Sequence, residues 1–340
     1  MTAALRPHEG ETLGTLGEAG VLARIFPRLP GAASEILGPG DDAAVLATPD
    51  GRVVITTDMM IHGPDFRLAW SSAHDLGWKA AASNLADIAA MGAEPTALVV
   101  ALAAPADTAV EFLEAFADGL REGCAAMAPG CGVVGGDLSV SSVLTIAVTA
   151  FGDLASRTPV TRAGAHPGDV LAVSGVLGAA ASGLRLLFTR GVVDGVPEVA
   201  AAAAATLAHG HPALLAAQLR PTPPIADGPA AAIAGATAMI DLSDGLVLDA
   251  RRLAAASGVA LDLSTAAITA GTLPGVTATD ALEGGEDHSL LATFPAGTPL
   301  PGGFRVIGTV TEGAGVRLDG EPWERASGWD PYEAWDGAAG

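Results

Sequence analysis

Apolar residues in the first half of the chain form short runs that alternate with longer amphipathic stretches. Apolar runs bounded by Gly, Pro or Asp predict strands, whereas alanine-rich stretches without internal Pro predict helices. Residues 1–35 are predicted to form a short helical lead-in. Strands are predicted at 43–46, 53–57, 96–103, 133–134 and 143–151, and helices at 73–91 and 108–127.

The second half repeats this alternation after a junction rich in Gly and Pro at 155–168. Strands are predicted at 169–174, 238–241, 260–263, 289–294 and 304–310, and helices at 178–189, 200–209, 229–236 and 247–256. At roughly 150 residues per domain, a chain of 340 residues suggests two domains. We therefore predict two α/β domains, residues 1–153 and 154–340.

The charge balance narrows the classes of function. Asp and Glu number 38 against 17 Lys and Arg, which gives a formal net charge of −21. Binding to a phosphate backbone needs a basic face, so nucleic acid is not expected as a partner, whereas divalent cations are favoured. Lys79 is the only lysine, and no Gly-Lys-Ser/Thr sequence occurs, which excludes a Walker-type P-loop.

Nothing in the sequence predicts a membrane protein. No apolar stretch approaches the ~18 residues that a membrane helix needs. Glu9, Glu11 and Glu18 stand where a signal peptide would have its apolar core. We therefore expect a cytoplasmic protein that does not insert into a membrane.

Several side chains have ordinary structural interpretations. Cys124 and Cys131 have no clustered histidine partners, so the sequence predicts buried or free thiols rather than a zinc site. Lys79 follows Asp75 by four residues, a spacing typical of a surface ion pair on one helix face. His288 has no evident partner in the sequence.

Short acidic turns beside glycine recur at the ends of apolar runs. Their carboxylates offer hard oxygen atoms to hard cations, and glycine lets the backbone approach a ligand closely. Several Mg²⁺ ions held in this way would neutralise a polyphosphate without lysines. Any one turn alone is more often structural, and that alternative stays open. The segments are Gly40-Asp41-Asp42, Thr56-Thr57-Asp58, Gly135-Gly136-Asp137, Asp241-Leu242-Ser243-Asp244-Gly245 and Gly284-Gly285-Glu286-Asp287, with Asp87 on the predicted helix at 73–91.

Eight segments in a fixed order give the chain a resemblance to a known family. They cover most of the chain from about residue 35 onward, and SNLADIAAMGA together with IDLSDGL is the specific pair. The chain resembles the thiamine-monophosphate kinases, within the superfamily that includes aminoimidazole ribonucleotide synthetase. The segments are GDDAAVL (40–46), TTDM (56–59), DLGWKAAASNLADIAAMGAEP (75–95), GGD (135–137), TRAGAHPGD (161–169), LRPTPPI (219–225), IDLSDGL (240–246) and ALEGGEDHSLL (281–291).

The resemblance implies a fold and a reaction. The fold is of the α/β (α+β) class, a two-domain aminoimidazole ribonucleotide synthetase-like fold with mixed sheets and flanking helices. The N-terminal domain binds ATP and Mg²⁺ and pairs in a homodimer, and the C-terminal domain completes the ATP and substrate site. The reaction transfers the γ-phosphoryl group of ATP to the phosphate of thiamine monophosphate, giving thiamine diphosphate and ADP. No side-chain nucleophile is implied.

The resemblance also implies roles for individual residues, each carried over by its motif. The Mg²⁺ ligands would be Asp42, Thr56, Thr57, Asp58, Asp87, Asp137, Asp241 and Asp244. The residues in contact with ATP would be Gly136, Asp137, Arg162 and Ser243. The residues in contact with thiamine monophosphate would be Asp65, Glu286 and Trp329.

One position departs from the family pattern. After Thr-Thr-Asp the family usually has Glu-Gly-Val-His-Phe, with the histidine in contact with substrate, where this chain has His62-Gly63-Pro64-Asp65-Phe66. Asp65 therefore stands in the place of the histidine. A carboxylate there would repel a substrate phosphate unless a metal ion intervenes.

Two alternative functions stay open. One is another ATP-dependent member of the superfamily: aminoimidazole ribonucleotide synthetase, selenophosphate synthetase or the hydrogenase-maturation dehydratase. The lack of a reactive cysteine near the N-terminus and of a terminal cysteine argues against the last two. The other is a non-catalytic nucleotide- or metal-binding relative. Retention of the metal-type carboxylates argues against it, whereas the change at Asp65 keeps it open.

Overall fold

The protein is described by a computed structural model that covers residues 10–29, 31–39, 43–193, 196–197, 209–325 and 328. Asp42, Trp329 and nearly all of the helix predicted at 200–209 lie outside the described residues. The described chain forms two α/β parts, each built around one main sheet. We call residues up to 153 the N-terminal part and the residues from 154 onward the C-terminal part.

The N-terminal part contains one main sheet of four long strands and two long helices. Strands β3, β6, β4 and β5 follow one another in that order, with β4 and β5 parallel and the other pairs antiparallel. Strands β3 and β5 are therefore the two edges. The elements are α1 (Leu13–Ile25), a 3₁₀ turn (Phe26–Arg28), β1 (Glu35–Leu37), β2 (Val45–Leu46), β3 (Val54–Ile61), α2 (Ala73–Ala90), β4 (Glu94–Ala104), α3 (Val110–Met127), β5 (Gly132–Val140) and β6 (Thr145–Asp153).

Helices α2 and α3 cover one face of this sheet and pack closely against each other. A Cβ atom at Gly77 of α2 would lie 2.1 Å from the carbonyl oxygen of Phe116, and one at Gly119 of α3 would lie 2.1 Å from the carbonyl oxygen of His74. No side chain fits at either position, so the helices require glycine at both. The close packing fixes α2, the helix that carries Asp87, against the sheet.

The C-terminal part is built around a seven-stranded mixed sheet in the order β10-β12-β7-β13-β11-β14-β15. All neighbouring pairs are antiparallel except β11 with β14. In the described ranges, no helix is both long and apolar enough to span a membrane. The elements are β7 (Val170–Ser174), α4 (Ala179–Arg190), β8 (Val192–Val193), β9 (Val196–Pro197), α5 (Pro212–Leu219), α6 (Asp227–Ile233), β10 (Ala238–Leu242), α7 (Leu246–Ser257), β11 (Ala260–Leu263), α8 (Thr265–Thr269), α9 (Ala278–Glu283), β12 (Ser289–Phe294), β13 (Arg305–Thr311), β14 (Gly315–Leu318) and β15 (Glu321–Pro322).

One hydrophobic core runs across both parts. Leu85 and Ile88 on α2 belong to the same buried cluster as Met239 on β10 and Phe294 on β12. Burial of this apolar junction holds α2 against the C-terminal sheet as well as the N-terminal one. Side chains on α2 therefore lie within reach of residues from the second half of the chain.

The predicted elements agree well with the structure, but two acidic segments are placed differently. Thr56–Asp58 lies inside β3 rather than at a strand end, and Gly135–Asp137 lies inside β5 rather than in a turn. Both predictions are wrong for one reason. Each segment is on an edge strand of a sheet whose second face is largely open, so polar and glycine residues are tolerated within the strand. The elements that were not predicted are helices α5, α8 and α9 and strands β1, β8, β9, β14 and β15.

Candidate functional site

The Thr-Thr-Asp segment lies on β3, where adjacent side chains point to opposite faces of the sheet. Its three side chains therefore do not all lie on one face. Thr56 faces α2, where its hydroxyl donates a 2.7 Å hydrogen bond to Oδ2 of Asp87. Thr57 faces the other way and bonds with the carbonyl of Val148 and with Thr149. Because side chains alternate along a strand, Asp58 shares the face of Thr56. The structure therefore brings Thr56, Asp58 and Asp87 together and leaves Thr57 apart.

Strand β10 and the loop before β12 contribute further acidic residues, Asp241 and Glu286, near Thr56, Asp58 and Asp87. Asp241 is buried near the end of this strand, as predicted for a carboxylate at a strand end. The loop before β12 is bonded to the end of β10, since Glu286 N donates to Ser243 O at 2.8 Å and His288 N donates to Leu242 O at 3.0 Å. Glu286 and His288 thus face Asp241 across this strand end.

Five carboxylates from both parts of the chain form what we call the acidic cluster: Asp58, Asp65, Asp87, Asp241 and Glu286. Burial raises the pKa of Asp87 to about 6, and the charges of Asp241 and Asp58 add to the rise. Desolvation by the surrounding protein likewise raises the pKa of Asp58, although this residue is still exposed to solvent. The charges of Glu286 and Asp241 raise this pKa further, by smaller amounts. The cluster therefore holds carboxylates close enough to repel one another.

Among the described residues, Lys79 and His288 are the basic groups beside this cluster. Burial disfavours a charged imidazole, but the contact of Nδ1 with Asp241 at 3.5 Å and the charge of Glu286 raise the pKa of His288 to about 8. Lys79 is buried and its Nζ lies 2.5 Å from Oε2 of Glu286. The surface pair predicted between Lys79 and Asp75 is wrong, because Asp75 pairs with Arg220 instead. The sequence spacing predicted neither Glu286 as the partner of Lys79 nor Arg220 as the partner of Asp75, since each of these partners comes from the other half of the chain.

Asp65 lies in the acidic cluster and also closes a local turn. Its Oδ2 accepts a 2.7 Å hydrogen bond from the backbone N–H of Ile61. Burial raises the pKa of Asp65, this hydrogen bond lowers it, and Glu286 and Asp58 raise it further. The substitution of the family's histidine therefore adds one more carboxylate to the cluster, stabilised in part by a backbone donor. Contact of Asp65 with substrate stays a prediction.

Asp244 and Ser243 follow β10 and are held by α7. Arg252 Nη1 bonds with Asp244 Oδ2 and Asp249 Oδ1, both at 2.6 Å, and Asp249 Oδ2 accepts from the backbone N–H of Asp244. Burial raises the pKa of Asp249 to about 7, with further contributions from Asp241 and Asp244. Asp249 and Arg252 were not singled out in the sequence. They fix the orientation of a predicted metal ligand.

Gly136 and Asp137 lie at the opposite edge of the N-terminal sheet. In register, Gly136 pairs with Val100, which pairs with Val148, which pairs with Asp58. Three inter-strand steps separate the two edges by roughly 14 Å. Asp137 is therefore not part of the acidic cluster within one chain.

A small apolar cavity of about 70 Å³ lies beside Gly136 and Asp137, well below the range of about 300–1,000 Å³ typical of ligand sites. Its other walls come from α1, the 3₁₀ turn and α3, with Ile25, Phe26 and Leu120 among them. A Cβ atom at Gly136 would lie 2.0 Å from the carbonyl oxygen of Val100, so only glycine fits there. The lining of the cavity is mainly apolar.

Arg162 lies away from the residues that follow β10. Its carbonyl accepts from the hydroxyl of Ser257, and the neighbouring Thr161 carbonyl accepts from the N–H of Met239 at the start of β10. The exposed guanidinium makes no hydrogen bond or ion pair with any described side chain. Arg162 is therefore available for an anionic ligand. Ser243, in contrast, lies just after the last residue of β10, whereas Arg162 lies near the first.

No three of the described His, Cys, Asp and Glu side chains are arranged to hold one metal ion by themselves. Mg²⁺ in phosphoryl-transfer sites takes one or two carboxylates and completes its shell with water and phosphate oxygens. The described side chains alone would therefore leave positions in such a shell to other ligands. Cys124 and Cys131 are buried free thiols, as predicted.

The sequence and the fold of this chain are similar to those of known proteins. Residues 40–154 match the family model described as AIR synthase related protein, N-terminal domain. A thiamine-monophosphate kinase of Mycobacterium tuberculosis (strain ATCC 25618 / H37Rv) is 44% identical over 334 residues, which cover 95% of this chain and 94% of the relative. The chain belongs to the thiamine-monophosphate kinase family. The resemblance inferred from the eight segments is confirmed.

Solved structures of this family have the same fold. The thiamine-monophosphate kinase from Stenotrophomonas maltophilia K279a is 32% identical with a TM-score of 0.71, and the match covers 89% of this chain and 95% of that one. AaThiL complexed with AMPPCP and TMP is 30% identical with a TM-score of 0.70, covering 95% and 99%. The predicted α/β fold with mixed sheets is therefore confirmed. The domain boundary and the individual site residues stay predictions.

Proposed function

We propose that this protein transfers the γ-phosphoryl group of ATP to the phosphate of thiamine monophosphate, giving thiamine diphosphate and ADP. The acidic cluster carries the proposal, because it unites carboxylates of β3 and α2 with Asp241 and Glu286 of the C-terminal part. A relative 30% identical over most of this chain has been solved with AMPPCP and TMP. That complex supports a site for a nucleotide and a phosphate acceptor.

The decisive experiment measures ADP formation from ATP and Mg²⁺ with a panel of phosphate acceptors. Thiamine monophosphate is expected to support ADP release and to yield thiamine diphosphate in equal amount, whereas unphosphorylated thiamine is not. Turnover with aminoimidazole ribonucleotide precursors instead would favour another reaction of the superfamily. Nucleotide binding by calorimetry without turnover of any acceptor would favour the non-catalytic alternative.

The donors of the acidic cluster fit Mg²⁺. Carboxylate and threonine oxygens are hard ligands, and the raised pKa values of Asp87 and Asp58 indicate negative charge that the protein leaves poorly compensated. Asp58, Asp87 and Asp241, with Thr56, would hold the ions. When bound, Mg²⁺ would neutralise the phosphates of ATP and of the acceptor. The protein's own contribution would be to orient both substrates.

Gly136 and Asp137, on the edge strand β5, remain proposed ATP contacts by their motif. The exposed guanidinium of Arg162 is the proposed partner of the ATP phosphates, because guanidinium binds phosphate oxygens in pairs. Ser243 remains a proposed ATP contact by its motif.

Arg162→Ala is expected to raise the KM for ATP by about tenfold or more, the effect of losing a charge-assisted hydrogen bond. The KM for thiamine monophosphate should change less than about twofold. Steady-state kinetics with each substrate varied in turn would measure both values. Arg52→Ala removes an exposed arginine paired with Asp50 and serves as the control. Equal effects on the two substrates, or none on ATP, would remove Arg162 from the ATP site.

We further propose that two copies pair through the open face of the N-terminal sheet, in the cytoplasm, where ATP is available. On β3, Ile55 and Met59 point away from α2 and are 57% and 56% exposed. Ala101 on β4 is also exposed on this face. A second copy related by a twofold axis would bury the same apolar face on both chains.

Ile55→Asp is expected to convert the dimer to a monomer, because it would place two buried charges at the pairing face. Light scattering after gel filtration should give twice the chain mass of 33.5 kDa for the wild type and a single chain mass for the variant. Val306→Asp, at a half-exposed valine of β13, is the matched control and should stay dimeric. A monomeric wild type would refute the pairing.

A further inference from the structure

Lys79 is an unusual residue in this chain. It is the only lysine, although 16 arginines are present among the 17 basic residues. It lies in the middle of α2 and is only 5% exposed. An unpaired buried ammonium would be strongly unfavourable, so its partners must compensate its charge.

Among the described residues, the partners of the Lys79 ammonium group come from the C-terminal part. Its Nζ lies 2.5 Å from Oε2 of Glu286 and donates to the carbonyl oxygen of Gln218 at 3.2 Å. When the Gln218 amide is oriented so that its nitrogen donates to the Ala180 carbonyl at 3.0 Å, its oxygen accepts from Lys79 Nζ at 3.2 Å. The three N–H donors of the ammonium are then engaged, and none is left for a substrate.

Glu286 is held in a loop with an unusual backbone. Its φ of 72° and that of His288, 50°, lie in the left-handed region that side chains rarely adopt. Asp287 between them accepts from the N–H groups of Gly178 and Ala180 at the start of α4. The loop backbone is thus fixed by the C-terminal part, whereas the Glu286 side chain is fixed by a residue of the N-terminal part.

The ion pair leaves one oxygen of Glu286 for another ligand. Lys79 contacts Oε2, and among the described residues Oε1 has no protein hydrogen bond. The side chain of Glu286 is 41% exposed. Desolvation by the surrounding protein would raise the pKa of Glu286 even though the side chain is partly exposed, but the charges of Lys79 and then His288 lower it below its ordinary value. The free oxygen therefore belongs to a carboxylate that stays ionised and can accept from an amino group.

We propose that Lys79 is a positioning residue of the acceptor site, which holds Oε2 of Glu286 across the junction and so presents Oε1 to the amino group of the acceptor's aminopyrimidine ring. This inference rests on the proposed function. It also assigns a role to the contact between the two parts: substrate recognition by a C-terminal loop depends on a helix of the N-terminal part.

Lys79→Met tests the inference, because methionine approximates the length of lysine without its charge. The KM for thiamine monophosphate is expected to rise about tenfold or more, whereas the KM for ATP should change less than about twofold. The control is Arg220→Met, which breaks another ion pair between α2 and the C-terminal part, that of Arg220 with Asp75. It should leave both KM values within about twofold.

A double-variant comparison separates positioning from direct contact. In the Glu286→Gln background, adding Lys79→Met should raise the acceptor KM by less than about twofold, because the residue that Lys79 positions is already altered. A further tenfold rise would show that Lys79 acts on the substrate itself and would overturn the inference. This comparison also serves if Lys79→Met alone fails to fold, since the double variant buries no unpaired charge.

The outcomes distinguish this inference from the proposed function. A wild-type protein that forms no ADP with thiamine monophosphate refutes the function. An active wild type with an unchanged acceptor KM in Lys79→Met refutes only the positioning role. Equal rises in both KM values would indicate a general disturbance of the junction and would also overturn it.

Discussion

Asp87→Asn is expected to lower kcat with ATP and thiamine monophosphate by at least about 100-fold, or roughly 2.7 kcal/mol of transition-state stabilisation. Asp87 lies where α2, β3 and β10 meet, with Thr56 donating to its Oδ2 and Asp241 nearby. An amide keeps the size of the side chain and can still accept from Thr56. It removes the negative charge that a divalent cation requires.

The same substitution is expected to leave the free energy of unfolding unchanged or higher. Burial raises the pKa of Asp87 to about 6, and Asp241 and Asp58 add to the rise, so the ionised group destabilises the fold without a bound cation. Removing one of three neighbouring charges relieves that repulsion. A large loss of turnover with no loss of stability separates a functional carboxylate from a structural one.

Three measurements check this prediction: turnover, urea unfolding, and Mg²⁺ binding by calorimetry in the presence of a non-hydrolysable ATP analogue. Asp262→Asn is the matched control, because among the described residues the Asp262 side chain accepts only from the backbone N–H of Gly320, and an amide oxygen can replace it. The control should keep turnover within about twofold of the wild type. Near-normal turnover of Asp87→Asn at saturating Mg²⁺ would exclude Asp87 as a metal ligand.

Local sequence patterns predicted helices and strands well where the tertiary packing of a segment agrees with the intrinsic propensity of its residues. The alanine-rich stretch around Asp87 is helix α2, and the apolar run before Asp241 is strand β10. The acidic segments at 56–58 and 135–137 were misplaced because Asp and Gly favour turns in isolation. On an edge strand with one open face the same residues fit inside the strand.

The sequence did not predict the site contacts of Lys79, Asp75 and His288, because their partners are distant along the chain. Lys79 and Asp75 satisfy the i,i+4 pattern, yet each pairs with a residue more than 100 positions away. His288 has no local partner but contacts Asp241 at the end of β10. Such contacts depend on how α2 packs between the two sheets, which no periodicity reports. The clue available beforehand was that Lys79 is the only lysine in an arginine-rich set.

Transfer of the phosphoryl group is expected to be direct, with no phosphorylated enzyme. Among the described side chains near the acidic cluster, His288 is the nucleophile to consider, but it is 4% exposed and its Nδ1 faces Asp241. The thiols are no better, because contact with Cys124 and burial raise the pKa of Cys131. The acceptor phosphate is already ionised at neutral pH, so it needs no strong base to become a nucleophile.

In direct transfer, a phosphate oxygen of thiamine monophosphate forms a bond to the γ-phosphorus while the bond from that phosphorus to the β–γ bridging oxygen breaks, and ADP leaves with that electron pair. One in-line displacement inverts the configuration at phosphorus, whereas two displacements through a phosphorylated residue retain it. Chiral, isotopically labelled γ-thio-ATP is therefore expected to give an inverted product. In the absence of thiamine monophosphate, labelled ADP should not exchange into ATP. Retention of configuration, or exchange without acceptor, would require an enzyme nucleophile, and His288→Asn would then be the first variant to examine, because a nucleophilic role for that imidazole predicts loss of the exchange.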